Sequence, residues 1–273
     1  MPDRLPFRSV TSRQNRIVSA FREAAAHPSG ERVLIESARL ALEAAQAGWT
    51  LEVVAIAGEK RESAAAAALM AELDDRTDLI AVTSPVLDAM SPAASPSGIV
   101  ALARPPNEPR DWIRGPVPLV IVACDVQDPG NVGAIVRAAE AAGCSGLLVC
   151  GTSAHPFGWK ALRGSMGSAF RLPIATHAAP ADAVRAVRSR GLAVIALTAR
   201  EGKDLYDGDL RVPCAMVVGG EGSGLPAEVL AAADRTISIP MAPPVESLNV
   251  AVSAAVALYE ARRQRSLTAD PDR

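Results

Sequence analysis

The chain is predicted to be an α/β protein of two domains, on three observations. Short apolar runs alternate with alanine-rich segments of helical length, the pattern of strands joined by helices. Between residues 104 and 118 five prolines (105, 106, 109, 116 and 118) interrupt that alternation. They mark residues 105–118 as a linker between a domain of residues 1–104 and one of residues 119–273. In the last third, two apolar runs end in loops rich in glycine and proline, residues 219–226 and 239–249. Glycine lets main-chain groups approach a ligand with no side chain in the way, so such loops describe a cleft more than a packed core.

In the first domain, residues 13–27 are predicted to be helical, with Ile17 and Phe21 on one face and arginines elsewhere. A strand over 32–36 carries Val33, Leu34 and Ile35. The helix 37–46 is stopped by Gly48. Strand 51–57, helix 63–73 and strand 79–82 follow. A short helix after Pro85, a Ser/Pro turn over 91–98 and a strand over 99–103 complete a small α/β domain without a catalytic constellation.

The second domain opens on a strand over 119–123. The turn 125–131 leads into a helix over 132–142 that Gly143 closes. Asn131 is well placed as its N-cap, the side-chain oxygen taking an orphan N–H. Arg137 lies within that otherwise apolar helix, and the residues alone leave it either solvent-facing or functional. Residues 147–150 are a strand, 159–170 a basic helix or loop, 173–175 a short strand, 181–190 a helix and 192–197 a strand ending at Thr198. Residues 215–218 and 236–239 are strands, and Pro226 sits where a helix begins. The final helix, 248–265, has no charge from Leu248 to Tyr259. A helix apolar nearly all round is buried on more than one side, which predicts a subunit interface.

Composition narrows the classes. A chain of 273 residues that is 49% hydrophobic can bury two modest cores. A net charge of −2 excludes binding to nucleic acid by bulk charge alone. The distribution matters more: Arg4, Arg8, Arg13, Arg16 and Arg22 face only Asp3 and Glu23 in the first 23 residues, and Arg262, Arg263 and Arg265 cluster near the other end. Arginine suits bidentate phosphate contact, although a GC-rich genome would give the same bias. Cys124, Cys144, Cys150 and Cys214 lie in or near apolar runs without CxxC spacing, and His27, His155 and His177 are far apart, so no metal site is expected. No run is long enough to span a membrane and no signal peptide is visible, which reads as a soluble cytoplasmic protein. Both the GxGxxG fingerprint and the P-loop are missing. No carboxylate occurs over residues 147–154, where a dinucleotide-binding oxidoreductase needs one for its ribose.

On its own Gly220-Glu221-Gly222-Ser223-Gly224 reads equally as a tight strand–helix turn. Three segments in order are more specific. Asp128-Pro129-Gly130-Asn131-Val132-Gly133-Ala134-Ile135-Val136-Arg137-Ala138 resembles the first motif of the SpoU (TrmH-like) RNA ribose 2′-O-methyltransferases of the SPOUT superfamily. Val218 to Gly224 is similar to their second motif. Ile239-Pro240-Met241 with Glu246 to Val252 is similar to their third. The match covers residues 119–265. The layout of the first domain is similar to the ribosomal-protein-like substrate-binding domain that often precedes this catalytic domain.

The resemblance implies a SPOUT-type α/β domain with a C-terminal trefoil knot, preceded by a small RNA-binding domain. It implies S-adenosylmethionine held by backbone groups at Leu197, Thr198, Gly219, Gly220, Ile239, Met241 and Leu248. It makes Arg137 the main catalytic residue of methyl transfer to a ribose 2′-hydroxyl, oriented by Glu221, with Asn131, Ser247 and Asn249 fixing the ribose and the guanidinium. Arg163 matches a position that contacts RNA in relatives, and Arg13 and Arg16 are expected to touch phosphates. Ribosomal RNA is favoured over transfer RNA as the target, and a homodimer through the final helix is expected. A non-catalytic RNA-binding module with the same fold is the alternative; Arg137, Glu221 and Asn249 are all present, which counts against it.

Overall fold

The computed structural model describes residues 7–28, 31–106, 113, 115–222 and 224–269. Half of the proline-rich linker, Ser223 of the glycine loop and Arg4 of the basic cluster lie outside the described residues. The chain divides into two compact units, residues 1–107 with 157–170, and residues 108–156 with 171–273.

The first unit contains β1 (Arg8–Val10), α1 (Arg16–Ala26), β2 (Val33–Glu36), α2 (Ala38–Gln46), β3 (Thr50–Ala57), α3 (Ala64–Ala71), β4 (Asp78–Val82), α4 (Ser84–Met90) and β5 (Ile99–Arg104). The sheet order is β1-β4-β3-β5-β2. β1, β4 and β3 are parallel, and β5 runs antiparallel to β3 and β2. Sequence expectation started the first helix at residue 13. It starts at Arg16 because the Asn15 side chain accepts the Ile17 N–H at 3.0 Å, a capping bond that ends the extended segment. Val18, Phe21 and Ala24, one face of α1, are buried against Leu34, Val53, Ile80 and Val100 of the sheet.

The second half of the chain supplies β6 (Leu119–Cys124), α5 (Pro129–Ala142), β7 (Gly146–Cys150), α6 (Trp159–Ser165), β8 (Ile174–His177), α7 (Pro180–Arg188), β9 (Ala193–Thr198), β10 (Lys203–Asp204), β11 (Cys214–Gly219), α8 (Ala227–Ala231), β12 (Arg235–Ser238) and α9 (Val250–Ala269). Residues 157–170, read from sequence as part of the C-terminal domain, group instead with the first unit. Aromatic packing explains the difference. Phe157 and Phe170 stand edge-on to the Trp49 ring at 5.3 and 5.0 Å, and Trp49 Nε1 donates to the Phe170 carbonyl at 3.3 Å. Trp159 joins the apolar core of the same unit.

The second unit is built on a seven-stranded sheet of order β10-β12-β9-β11-β6-β7-β8 in which all pairings are parallel. β6 and β7 are buried along their whole length, as expected of parallel strands covered on both faces. From β6 the chain moves outward through β7 to β8, whereas β11 returns to lie between β6 and β9. The carboxyl ends of β6 and β11 therefore form a topological switch point, the place where open α/β sheets leave a crevice for ligands.

Helix α9 packs on α5 and β11. At its far end Arg265 donates to the carbonyls of Leu210 (2.8 Å), Val117 (2.7 Å) and Val212 (2.7 Å). Gln264 accepts the Leu210 N–H at 2.8 Å and donates to the Gly208 carbonyl at 2.9 Å. The end of the chain is thus clasped to the amino-terminal edge of the sheet. Within the single chain α9 buries one side; Val252 and Tyr259 stay 48% and 51% exposed.

Candidate active site

The first turn of α5 differs from expectation. Asp128, not Asn131, is the N-cap: its carboxylate accepts the Asn131 N–H at 2.8 Å, and Pro129 occupies the first helical position. Proline's fixed φ suits that position and its missing N–H costs nothing there. Asn131 becomes the third helical residue and its amide is released for other work.

That amide donates to Glu221 Oε1 at 2.7 Å. Asn249 Nδ2 donates to the same oxygen at 3.0 Å and to Asn131 Oδ1 at 3.1 Å. Asn249 also caps α9, its Oδ1 accepting the N–H groups of Ala251 (2.9 Å) and Val252 (3.3 Å). Three residues 28 to 118 positions apart thus meet at the switch point, one from each of the loops that follow β6, β11 and β12.

Arg137 does not pair with Glu221, contrary to expectation. It belongs to the exposed stripe Gly130, Ala134, Arg137, Ala141 and makes no hydrogen bond or ion pair among the described residues. Glu221 is already engaged by two amides, so the carboxylate fixes the loops to one another rather than the guanidinium. Ser247 is exposed and outside the amide cluster. Its neighbour Glu246 pairs with Arg200 at 2.7 Å.

Beside the cluster, β9 lies between β11 and β12, with Leu197 opposite Ile237 and Thr198 opposite Ser238. Leu197, Thr198, Ile239 and Met241 are half-buried and Leu248 is 37% exposed. Partly uncovered apolar side chains at three adjoining strand ends suit an aromatic ligand edge bound through the main chain. The glycines serve another purpose first. A Cβ on Gly219 would stand 2.3 Å from the Gly224 carbonyl, and one on Gly220 would stand 2.1 Å from the Asp125 carbonyl oxygen. Both positions are glycine because protein backbone passes there. Among the described residues no group of three or more His, Cys, Asp or Glu side chains is arranged to hold a metal.

Asp125 is the residue that sequence reading missed. It has φ of 56°; its main chain packs on Gly220, while its Oδ1 accepts from the Thr152 N–H (2.8 Å) and hydroxyl (2.9 Å). The loops after β6, β7 and β11 are therefore locked together through one aspartate. An aspartate directly after an apolar strand was the available signal, since Asp tolerates the left-handed region. Next to it, the thiols of Cys124 and Cys150 lie 3.1 Å apart, and the Cys150 hydrogen bond, then burial, push the Cys124 thiol up. All four cysteines are free.

The proposed RNA contacts belong to the first unit. Arg163 is exposed on α6, 6.0 Å from the Trp159 ring centroid. Arg16 is exposed, whereas Arg13 spends its Nε on the Pro85 carbonyl at 2.9 Å. Among the described residues no helix is long and apolar enough to cross a membrane.

Residues 118–259 match the model of the SpoU rRNA Methylase family. A 23S rRNA (uridine(2479)-2′-O)-methyltransferase of Streptomyces viridochromogenes is 33% identical over 229 residues, 81% of this chain and 79% of that one. The 23S rRNA (guanosine-2′-O-)-methyltransferase RlmB of Ralstonia nicotianae is 38% identical over 168 residues, 62% of this chain and 67% of that one. The crystal structure of the SpoU methyltransferase AviRb from Streptomyces viridochromogenes with AdoMet aligns over 93% of this chain and 99% of that one, with a TM-score of 0.84 at 29% identity.

Proposed function

The chain belongs to the SpoU rRNA Methylase family, and from that premise we propose that it methylates a ribose 2′-hydroxyl of RNA, ribosomal RNA before transfer RNA, using S-adenosylmethionine. The observation that carries this reading is the Asn131–Glu221–Asn249 cluster at the switch point, beside the ends of β9, β11 and β12. The half-buried apolar residues and open main chain of those three strand ends fit an adenosine-bearing cofactor, held at Leu197, Thr198, Gly219, Gly220, Ile239, Met241 and Leu248. The cofactor supplies an activated methyl group, so the protein has to align the attack and manage one proton.

Arg137 is suited to the second task through what it lacks. Its guanidinium stays protonated (pKa above about 12), so it is no base. Unpaired among the described residues, it offers its donors to a phosphate next to the target ribose and to charge developing on the 2′-oxygen. Phosphate or water takes the proton. Asn131 and Asn249, fixed by Glu221, orient the ribose, with Ser247 reaching the same ligand from the exposed loop. Arg163, Arg16 and Arg13 contact RNA phosphates.

We extend the proposal to a homodimer through α9, to the trefoil knot of the family and to the cytoplasm as the place of action. Exposed Leu248, Val252 and Tyr259 support the first; β11 inserted between β9 and β6 under α9 supports the second. The test is Arg137→Ala. Turnover on ribosomal RNA should fall at least about a hundredfold, the range for removing one oxyanion donor, with cofactor affinity unchanged. Full turnover in that variant rejects the mechanism. Mapping 2′-O-methyl sites in RNA from cells with and without the protein identifies the target.

A further inference from the structure

At the carboxyl ends of β7 and β8, a cavity of about 230 Å³ opens on the same sheet edge as the amide cluster. Its walls include Cys150, Ser153, His155, Thr176, His177 and Ala178. Strands lie about 4.8 Å apart, so this opening begins one strand beyond β6, roughly the reach of one nucleotide from the switch point.

Four features say what fits there. The volume is below the range of about 300–1,000 Å³ typical of pockets for whole drug-sized ligands, so it takes a fragment of the size of a single ring system. Among the described residues no Arg, Lys, Asp or Glu lines it, which disfavours a phosphate and favours a neutral ligand. The polar groups presented are two imidazoles, the exposed Thr176 hydroxyl and backbone. Unstacked RNA bases are bound in this way, by stacking on rings that include histidine and by hydrogen bonds to their edges. Finally, the wall is rigid and tied to the proposed catalytic loop. Ser153 Oγ accepts the Val126 N–H at 2.9 Å and donates to the Cys150 carbonyl at 2.7 Å. Ala154 N–H reaches the Val126 carbonyl at 2.9 Å, and Asp125 pins Thr152. Val126 and Asp125 lie at the start of the loop that ends in Asn131.

We propose that this cavity receives one unstacked base of the RNA, held against His155 and His177, and thereby selects which nucleotide is presented for methylation. The proposal rests on the RNA methyltransferase reading above. Burial lowers the His155 pKa, so at neutral pH its ring is uncharged, which suits stacking against a neutral base.

Ring-labelled histidine in the full chain gives a readout that does not need turnover. Adenosine, guanosine, cytidine and uridine 5′-monophosphates are titrated separately, with ribose 5-phosphate as the control. His155→Gln and His177→Gln assign the two resonances. The expected result is a saturable shift of both rings, strongest for one base and not produced by the control. In parallel Thr176→Trp, a change at an exposed position, fills the opening. Its kcat/KM for ribosomal RNA should fall about tenfold or more, the effect of losing one stacked base, with cofactor affinity within about twofold. Ring shifts that ribose 5-phosphate matches, no shift from any nucleotide, or unchanged kcat/KM in Thr176→Trp each overturn the proposal. If instead the unaltered protein methylates no RNA while the rings still respond to a base, the methyltransferase reading fails and the base site stands.

Discussion

Replacing Gly220 with alanine should open the site from within. The added Cβ would stand 2.1 Å from the Asp125 carbonyl oxygen and 2.9 Å from its carbonyl carbon, where ordinary contact begins at 3.4 Å. The loops after β6 and β11 must then part by more than about 1 Å. No rotamer change relieves the clash, because the atoms met are backbone. Parting them strains the Gly220–Gly224 bridge and drags Asp125 from Thr152. Overpacking costs about 1–3 kcal/mol, and a rigid backbone neighbour puts this case near about 3. Gly222→Ala is the matched control. Gly222 has φ of +90° but nothing within 4 Å of its Cβ position, so only backbone strain of about 1–2 kcal/mol applies. Urea unfolding midpoints and calorimetric cofactor binding measure both variants. Gly220→Ala should be the less stable and lose cofactor affinity at least about tenfold, with Gly222→Ala within a few-fold. Equal midpoints and equal affinities for the two variants would refute the idea that close main-chain approach, rather than glycine's φ freedom, dictates position 220.

Three further outcomes follow from single contacts. Asn249→Ala removes the α9 cap and two bonds of the amide cluster; about 1 kcal/mol of stability should go, while methyl transfer drops more than about tenfold, read by comparing denaturation with turnover. Arg265→Leu leaves the carbonyls of Leu210, Val117 and Val212 without their charged donor, and thermal unfolding should register a loss of about 3 kcal/mol. Burial raises the pKa of Glu52, but hydrogen bonds from Arg104 and Arg32 outweigh it and hold the carboxyl below 4.5. A depressed carboxyl stabilises above its unfolded pKa and stops doing so as pH falls through the folded one. The stability gap between the unaltered chain and Glu52→Gln, followed by urea titration, should therefore be full at pH 7 and shrink below about pH 4.5.

Except for the short edge strands β1 and β10, which are not apolar runs, strand and helix order was legible because both sheets are made of apolar runs of the right length, and the three glycine- or asparagine-bearing loops were legible from composition and order. What the residues could not give was partnership at a distance. Asn131 looked like a cap because the local pattern offers it that role; Pro129 moves the cap to Asp128, and only then is the amide available to Glu221. The Glu221–Arg137 pairing was expected from the family resemblance, with a carboxylate orienting a guanidinium. A helix rotates each residue by a fixed angle, however, and that rotation puts Arg137 on the exposed stripe, out of reach of a carboxylate already held by two amides. Residues 157–170 carry no sign in their own composition that they belong with the first unit, because the ring they pack on, Trp49, is more than a hundred positions away. Asp125 escaped notice for the same reason: its partners Thr152 and Gly220 are brought to it only by the parallel order β11-β6-β7.

That order also bears on how an exposed arginine and a half-buried aspartate would serve the one reaction proposed above. Parallel strands point all their carboxyl ends the same way, so each loop that leaves them starts from one edge, and any side chain that ties two loops fixes the whole edge. Asp125 and Glu221 spend their carboxylates on that task, in hydrogen bonds to the neighbouring loops. Arg137 has no hydrogen-bond or ion-pair partner among the described residues, which leaves a cation facing outward beside loops tied to one another. On the proposed mechanism, a phosphodiester arriving there displaces only water from donors that need not first break an ion pair. Had Glu221 held Arg137, the same phosphate would compete with a carboxylate for the guanidinium. The separation of duties, with carboxylates holding loops and the guanidinium left for the ligand, is what the geometry would contribute to the proposed catalysis beyond the list of residues.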